Sequence, residues 1–247
     1  MIKAMIFDLD GTLVQTERLK AISYAKAAVQ LCPRDIREEQ VVEAFKDVVG
    51  RSRRVVATAL FERFDLAEAA GRRMGEFGVT KPWQAFVQLR LRIYDEMLAD
   101  PAVLRRNQWP FSIDLLKQAR RSTCRTGLAT MSNCVQVRRV LEVLALRDAF
   151  DFVATRDDVE RGKPDPEIYQ LVRRELDVPA AQCLVIEDSP SGVAAAVAAG
   201  MWCIAVTTAF TRQRIHEQQL LDERWIVDDP ADLTGVVMQM MTERQQD

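Results

Sequence analysis

The chain has 247 residues, 48% of them apolar and 28% charged, which is enough apolar material for a packed core and argues against disorder. Lys and Arg number 34 against 36 Asp and Glu, a formal net charge of -2. A balanced chain of this kind lacks the basic stripe of a duplex nucleic-acid binder.

Residues 4–8 read as a short buried strand that ends in carboxylates, with Asp10-Gly11 as the turn. The apolar run before Asp8 is shorter than the ~7–15 residues of a secretory signal core, so no signal is expected there. A long helical region follows, to about residue 108. Its apolar positions (Leu19, Ile22, Val29, then Val41, Phe45, Val48, then Phe86, Ile93, Met97) repeat at helical spacing. Gly71, Gly75, Gly78 and Pro82 are expected to break it between helices.

After Trp109-Pro110 the pattern alternates. Helix 112–121 precedes strand 126–130, helix 135–146 precedes strand 150–155, and helix 166–176 precedes strand 183–186. Residues 189–211 carry no charge and are long enough to span a bilayer, but Pro190, Gly192 and Gly200 punctuate them. A helix over 192–199 and a buried strand over 202–206 fit better than a membrane span, with a last short strand at 225–227. Such alternation predicts an α/β fold: a Rossmann-like parallel-sheet core with an inserted α-helical cap. The core takes residues 1–14 and 108–247, and the cap takes 15–107.

Cys32, Cys124, Cys134, Cys183 and Cys203 form no C-x-x-C pair, and the expectation is reduced thiols in a cytoplasmic protein. His216 is the sole histidine, which excludes a multi-histidine metal site. Its neighbours Arg214, Glu217 and Gln218 suggest a solvated helix face.

In open α/β sheets the site lies beyond the carboxyl ends of the strands. There the sequence places Asp8, Asp10 and Thr12, then Thr130, Ser132 and Asn133, then Gly162-Lys163-Pro164, then Glu187, Asp188 and Ser189. Converging carboxylates repel unless a cation or a shared proton joins them. Oxygen ligands without histidine point to Mg²⁺, and Mg²⁺ with a lysine and hydroxyl donors makes a phosphoryl site. One aspartate of a pair then attacks phosphorus, and the other handles protons. Each piece has a plainer reading: Asp10-Gly11 as an ordinary turn, Gly-Lys-Pro as a loop with Asp165 as a cap, Asp188 and Ser189 as helix caps. Their joint placement at strand ends is what favours chemistry.

Asp8-Leu-Asp-Gly-Thr12, Leu-Ala-Thr130-Met-Ser-Asn133, Gly-Lys163-Pro-Asp-Pro166 and Ile-Glu187-Asp-Ser189 resemble the four ordered motifs of the haloacid dehalogenase (HAD) superfamily. The run from Glu187 to Met201 is similar to that of its phosphatase and β-phosphoglucomutase branch. The resemblance implies Asp8 as nucleophile and Mg²⁺ ligand, and Asp10 as general acid/base with its carbonyl on the metal. It implies Thr130 and Lys163 as holders of the phosphoryl oxygens, Asp188 as a metal ligand, and Glu187 as a ligand or its support. Gly11 and Thr12 would shape the phosphate loop, and Ser132 and Asn133 would join substrate binding. In the cap, Gly50 and Arg53 match a substrate loop in which the arginine holds a distal phosphate; Arg51 or Arg54 could face the site instead. Relatives often carry a histidine shortly after the acid at Glu17; here Leu19-Lys20 follow, which weakens a mutase reading.

The expected activity is Mg²⁺-dependent hydrolysis of a small phosphorylated metabolite, a sugar or organic-acid phosphate, through an aspartyl-phosphate. A β-phosphoglucomutase-like phosphotransferase and a non-catalytic binding protein on the same fold are the alternatives. Neither nucleic acid nor membrane is an expected partner, and the chain is expected to be a monomer or homodimer. Residues 15–107 carry 17 Lys/Arg against 13 Asp/Glu, a net of +4, and the remainder 17 against 23, a net of -6. A basic lid over an acidic core favours an anionic substrate, although a solvated helix surface explains many of these charges.

Overall fold

A computed structural model describes residues 1–32, 34–49 and 53–246. The chain divides into two compact units, one of Met1–Gln15 with Leu104–Asp247 and one of Thr16–Val103.

In chain order, strand β1 (Ala4–Phe7) is followed by helices α1 (Thr16–Leu31), α2 (Glu38–Lys46), α3 (Arg53–Arg63), α4 (Ala67–Gly71), α5 (Met74–Phe77), α6 (Pro82–Ala99) and α7 (Pro101–Arg106). Then come α8 (Pro110–Arg121), β2 (Arg125–Ala129), α9 (Cys134–Val143), β3 (Phe152–Ala154), α10 (Glu167–Glu175), β4 (Cys183–Glu187) and α11 (Pro190–Ala198). The chain closes with β5 (Trp202–Val206), α12 (Arg212–Gln218), β6 (Ile226–Val227) and α13 (Leu233–Gln246).

The strands form one sheet in the order β3-β2-β1-β4-β5-β6. Every neighbouring pair is parallel, with Met5 beside Thr126 on one flank and beside Leu184 on the other. All residues of β1 and β4 are buried, which is why both read as unbroken apolar runs. Alternate residues of β1 face opposite layers. Ile6 packs with Tyr169 and Val172 of α10 and Val193 of α11, while Phe7 meets Phe150 edge-on at 6.4 Å. The strand order reverses between β1 and β4. In such sheets that crevice, at the carboxyl ends, is where ligands sit.

The helical unit is built on α1 and α6. Tyr24 of α1 stacks against Phe45 of α2 at 5.8 Å and Phe86 of α6 at 5.7 Å. Gly78 caps α5 with a left-handed φ of 62°, and Pro82 opens α6 at a position where a missing N–H costs nothing. Gly75 lies inside α5 and breaks nothing.

Other departures have local causes. Pro110 lets α8 begin two residues earlier than the apolar pattern suggests. Ala145 takes a left-handed φ of 54°, so α9 stops at Val143. The segment 189–211 forms α11, a turn at Gly200 and β5, and among the described residues no helix is long and apolar enough to cross a membrane. All five cysteines are free, and burial pushes the Cys124 and Cys183 thiols up to about 11.

His216 is not simply solvated. Its ring bridges Asp228, 3.2 Å away beyond β6, and Glu223 at 3.0 Å. The Asp228 bond leads the causes that raise the His216 pKa; burial opposes ionisation of Asp228, but bonds from Thr207 and His216 outweigh it and lower the Asp228 pKa. The histidine contribution is therefore complete below its unfolded value of about 6.5 and is lost as pH rises through its raised folded value, while the aspartate contribution persists above about 4. The urea midpoint of the wild type should exceed that of His216→Gln most between those values. The gap should narrow by pH 9, and a gap independent of pH would remove the ion pair as its cause.

Candidate active site

Four strand ends of the sheet unit supply the site. Asp8 follows β1 directly, Thr130 follows β2, Lys163 arrives on the loop after β3, and Glu187 and Asp188 end β4. The side chains of Asp8 and Lys163 are 8% and 4% exposed and that of Glu187 is fully buried, so their charges must satisfy one another.

They do so through the lysine. Lys163 Nζ donates to Asp8 Oδ1 at 2.7 Å, to Glu187 Oε1 at 2.6 Å and to the Ala129 carbonyl at 2.9 Å, which uses all three of its donors. It also lies 4.8 Å from the centre of the Tyr169 ring. Burial opposes the lysine's charge, but Asp8 and Glu187 outweigh it and hold the ammonium above its ordinary value.

Glu187 is an anchor. Its Oε1 accepts from Lys163 and from Tyr169 OH at 2.8 Å. Its Oε2 accepts from the backbone N–H groups of Asp188 (2.9 Å) and Ser189 (3.0 Å) and from Ser189 Oγ (3.1 Å). Burial works against its charge, yet Lys163 and these donors keep the carboxyl below the usual range. A carboxylate has about four lone-pair sites, and the protein already engages both oxygens of this one. The geometry thus suits the supporting role among the two that its motif implied.

Asp8 is in the opposite condition. Burial drives its carboxyl up, to about 8, with Glu187 and Asp10 adding like-charge repulsion against the pull of Lys163. Ligand-type oxygens of Asp8, Glu187 and Asp188 lie within 4.8 Å of one another, all buried. This donor set is carboxylate oxygen alone, the chemistry of a hard divalent cation. Gly11, at φ 92°, makes room for it: a Cβ there would lie 1.9 Å from Asp188 Oδ2. A bound cation would supply the positive charge that Asp8 lacks.

Asp10 is held from a third strand end. Ser132 Oγ donates to its Oδ2 at 2.5 Å and Thr130 Oγ1 lies 3.4 Å from the same atom, with Ser132 N–H donating to Thr130 Oγ1 at 3.1 Å. Thr12 is wholly buried, and its hydroxyl has no hydrogen-bond partner among the described residues. Asn133 is exposed and caps α9 by accepting from Gln136 N–H at 3.0 Å, so its side chain is occupied away from the acids. Ser189 caps α11 while it holds Glu187, which merges the capping and functional readings of that residue. Asp165 likewise caps the start of α10. In the helical unit Arg53 opens α3 and is exposed, and Gly50 and Arg51 lie outside the described residues.

Two residues escaped the sequence reading. Tyr169 has the position of an ordinary core residue on α10, and Gly192 that of an ordinary helix residue. A Cβ on Gly192 would come within 1.7 Å of Glu187 Oε1, so this glycine lets the first turn of α11 pass over the carboxylate. The usable signal was its place three residues after the cap Ser189.

The chain matches the haloacid dehalogenase-like hydrolase family over residues 2–200. It is 30% identical over 239 residues to protein CbbY of Cereibacter sphaeroides, covering 96% of each chain. It is 28% identical over 223 residues to the validoxylamine A 7'-phosphate phosphatase of Streptomyces hygroscopicus subsp. limoneus, covering 90% of this chain and 93% of that one. A solved structure of a CbbY variant from Rhodobacter sphaeroides in complex with xylulose-(1,5)bisphosphate is similar with a TM-score of 0.59 and 25% identity, over 86% of this chain and 89% of that one. The chain belongs to the haloacid dehalogenase-like hydrolases, within their phosphatase and β-phosphoglucomutase-like branch. It is an enzyme of the phosphatase class.

Gly192→Ala should displace Glu187 and lower the thermal midpoint by several degrees, the size expected of about 1–3 kcal/mol lost in a buried polar network. Gly75→Ala, where an added Cβ meets nothing within 4 Å, serves as the control and should be neutral or stabilising. Equal effects from the two would show that Gly192 is not reserved for the carboxylate.

Proposed function

We propose that this enzyme is an Mg²⁺-dependent phosphatase that hydrolyses a small phosphorylated metabolite, a sugar or organic-acid phosphate, through an aspartyl-phosphate on Asp8. The observation that carries the reading is the buried Asp8 carboxylate in an all-oxygen acid cluster, held by Lys163 at 2.7 Å and followed two residues later by a hydroxyl-bound Asp10. The similarity to a CbbY crystallised with xylulose-(1,5)bisphosphate and to a validoxylamine phosphate phosphatase supports a sugar-like substrate.

Asp8, Asp188 and the Asp10 backbone carbonyl would hold the cation, with Glu187 as neighbour. When bound, Mg²⁺ supplies Lewis-acid charge toward phosphoryl oxygens. The remaining work falls to side chains. Lys163 fixes the Asp8 carboxylate on one oxygen, Oδ1, and leaves the other available for attack on phosphorus. Its charge offsets negative charge on the transferring group, toward which Thr130 and Ser132 could turn their hydroxyls only by leaving Asp10. Asp10 gives a proton to the departing alkoxide in the first step. In the second it takes a proton from the water that attacks phosphorus, which frees inorganic phosphate and restores Asp8. The hydroxyls that hold Asp10 at 2.5 and 3.4 Å keep its carboxyl oriented for both transfers. In the helical unit, Arg53 is the residue that would contact a distal anionic group of the substrate.

Across a panel of phosphorylated metabolites, phosphate release should stop in EDTA and return with Mg²⁺. Asp8→Asn should lower kcat by at least about 10³-fold, the scale of losing a covalent nucleophile, with an unchanged circular dichroism spectrum. Rapid quench and mass spectrometry of the wild type should find a phosphoryl group on Asp8. Full activity in Asp8→Asn would exclude the aspartyl-phosphate route.

A further inference from the structure

Lys163 serves two carboxylates with one ammonium. Its bonds to Asp8 Oδ1 at 2.7 Å and Glu187 Oε1 at 2.6 Å are nearly equal, so the two acids compete for the same charge. Whatever Glu187 Oε1 lacks from other donors it draws from the lysine, at the expense of Asp8. The second oxygen of Glu187 is supplied separately, by two backbone N–H groups and the Ser189 hydroxyl. For Oε1, the donor besides the lysine among the described residues is Tyr169 OH, at 2.8 Å.

Tyr169 is the third residue of α10 and is wholly buried. Its ring belongs to the apolar cluster of Ile6, Val172, Val185 and Val193, which confines the phenol oxygen. Burial first, then the charges of Glu187 and Asp8, hold the phenol well above its ordinary value, so it stays a donor. The face of the same ring lies 4.8 Å from Lys163 Nζ. One residue therefore meets the ion pair from both sides. Its O–H takes up charge on Glu187, and its ring face presents negative charge to the ammonium. Core packing alone requires neither contact, because a phenyl ring of the same shape fills the space without a buried hydroxyl to satisfy.

We propose that Tyr169 is a positioning residue for the hydrolysis: by donating to Glu187 Oε1 it keeps Lys163 shared with Asp8, and so keeps the Asp8 carboxylate oriented. The proposal rests on the reading of Asp8 as nucleophile. Tyr169 touches no reacting atom and acts through Glu187 and Lys163. Without its O–H the ammonium settles toward Glu187, and Asp8 spends less time aligned for attack. The effect falls on kcat more than on KM.

The test compares the full-length protein with Tyr169→Phe, which keeps the ring and removes the O–H. The Lys163 ammonium is read by its proton–nitrogen NMR resonance, identified in the wild type through its closeness to the Tyr169 ring protons. In Tyr169→Phe that resonance should shift, and its protons should exchange with water at least about five-fold faster, as expected of a loosened charge-assisted bond. With p-nitrophenyl phosphate and Mg²⁺, well below both melting temperatures, kcat should fall about ten-fold while KM stays within about two-fold. A role in core packing alone would lower the melting temperature and leave kcat and the ammonium resonance where they were. Either of those two readings unchanged overturns the proposal. If the wild type releases no phosphate, the phosphatase reading fails, and the resonance, which needs no turnover, decides whether Tyr169 holds Lys163.

Discussion

One ammonium group organises the core of this enzyme. Lys163 sits at 4% exposure between Asp8 and Glu187, and neither carboxylate would tolerate its burial without it. Removing one partner from such a cluster costs about 3–5 kcal/mol, because the charge left behind cannot reach water. Everything else at the strand ends follows from keeping that cluster in place. Glu187 is tied down from both oxygens so that it anchors the lysine. Gly192 yields the space Glu187 needs, and Gly11 does the same for Asp188. The lysine is a restraint as well as a charge, since it fixes one oxygen of Asp8.

The parts of this arrangement written in local sequence were legible. Asp8, Asp10, Glu187 and Asp188 lie at or just beyond the ends of short apolar runs, and a parallel strand ends where its apolar run ends; Lys163 was marked instead by the Gly-Lys-Pro loop after β3. The parallel sheet was legible for the same reason, since helices and strands alternate in the chain as they do in space. What depended on packing between distant elements was hidden. Tyr169 shares its helical stripe with Ile168 and Val172, so its phenol looked like core and its bond to Glu187 could not be foreseen. The early end of α9 rests on the backbone of Ala145, a residue type that gives no warning of a left-handed turn. Helix α13 is a different case. Leu233, Val237 and Met240 are buried at helical spacing, so the signal was present and went unused.

Charge needed a finer scale than the chain total. The helical unit is basic by composition, yet four of its arginines, Arg63, Arg72, Arg73 and Arg92, are paired with acids near the surface, where each pair contributes only about 0–1 kcal/mol.

The insertion of the helical unit after β1 also governs how the protein is made. The central strand is the first to leave the ribosome, but its neighbours are β2 and β4, paired at Thr126 and Leu184. At ~5–20 residues per second of synthesis, β1 waits on the order of ten seconds for its second neighbour. Until β2 emerges, an apolar strand with both edges unpaired stands in the nascent chain while the helices of residues 16–103 form their local contacts. One edge of β1 then still waits for β4, so the central strand, made before the other five, is among the last to be fully paired.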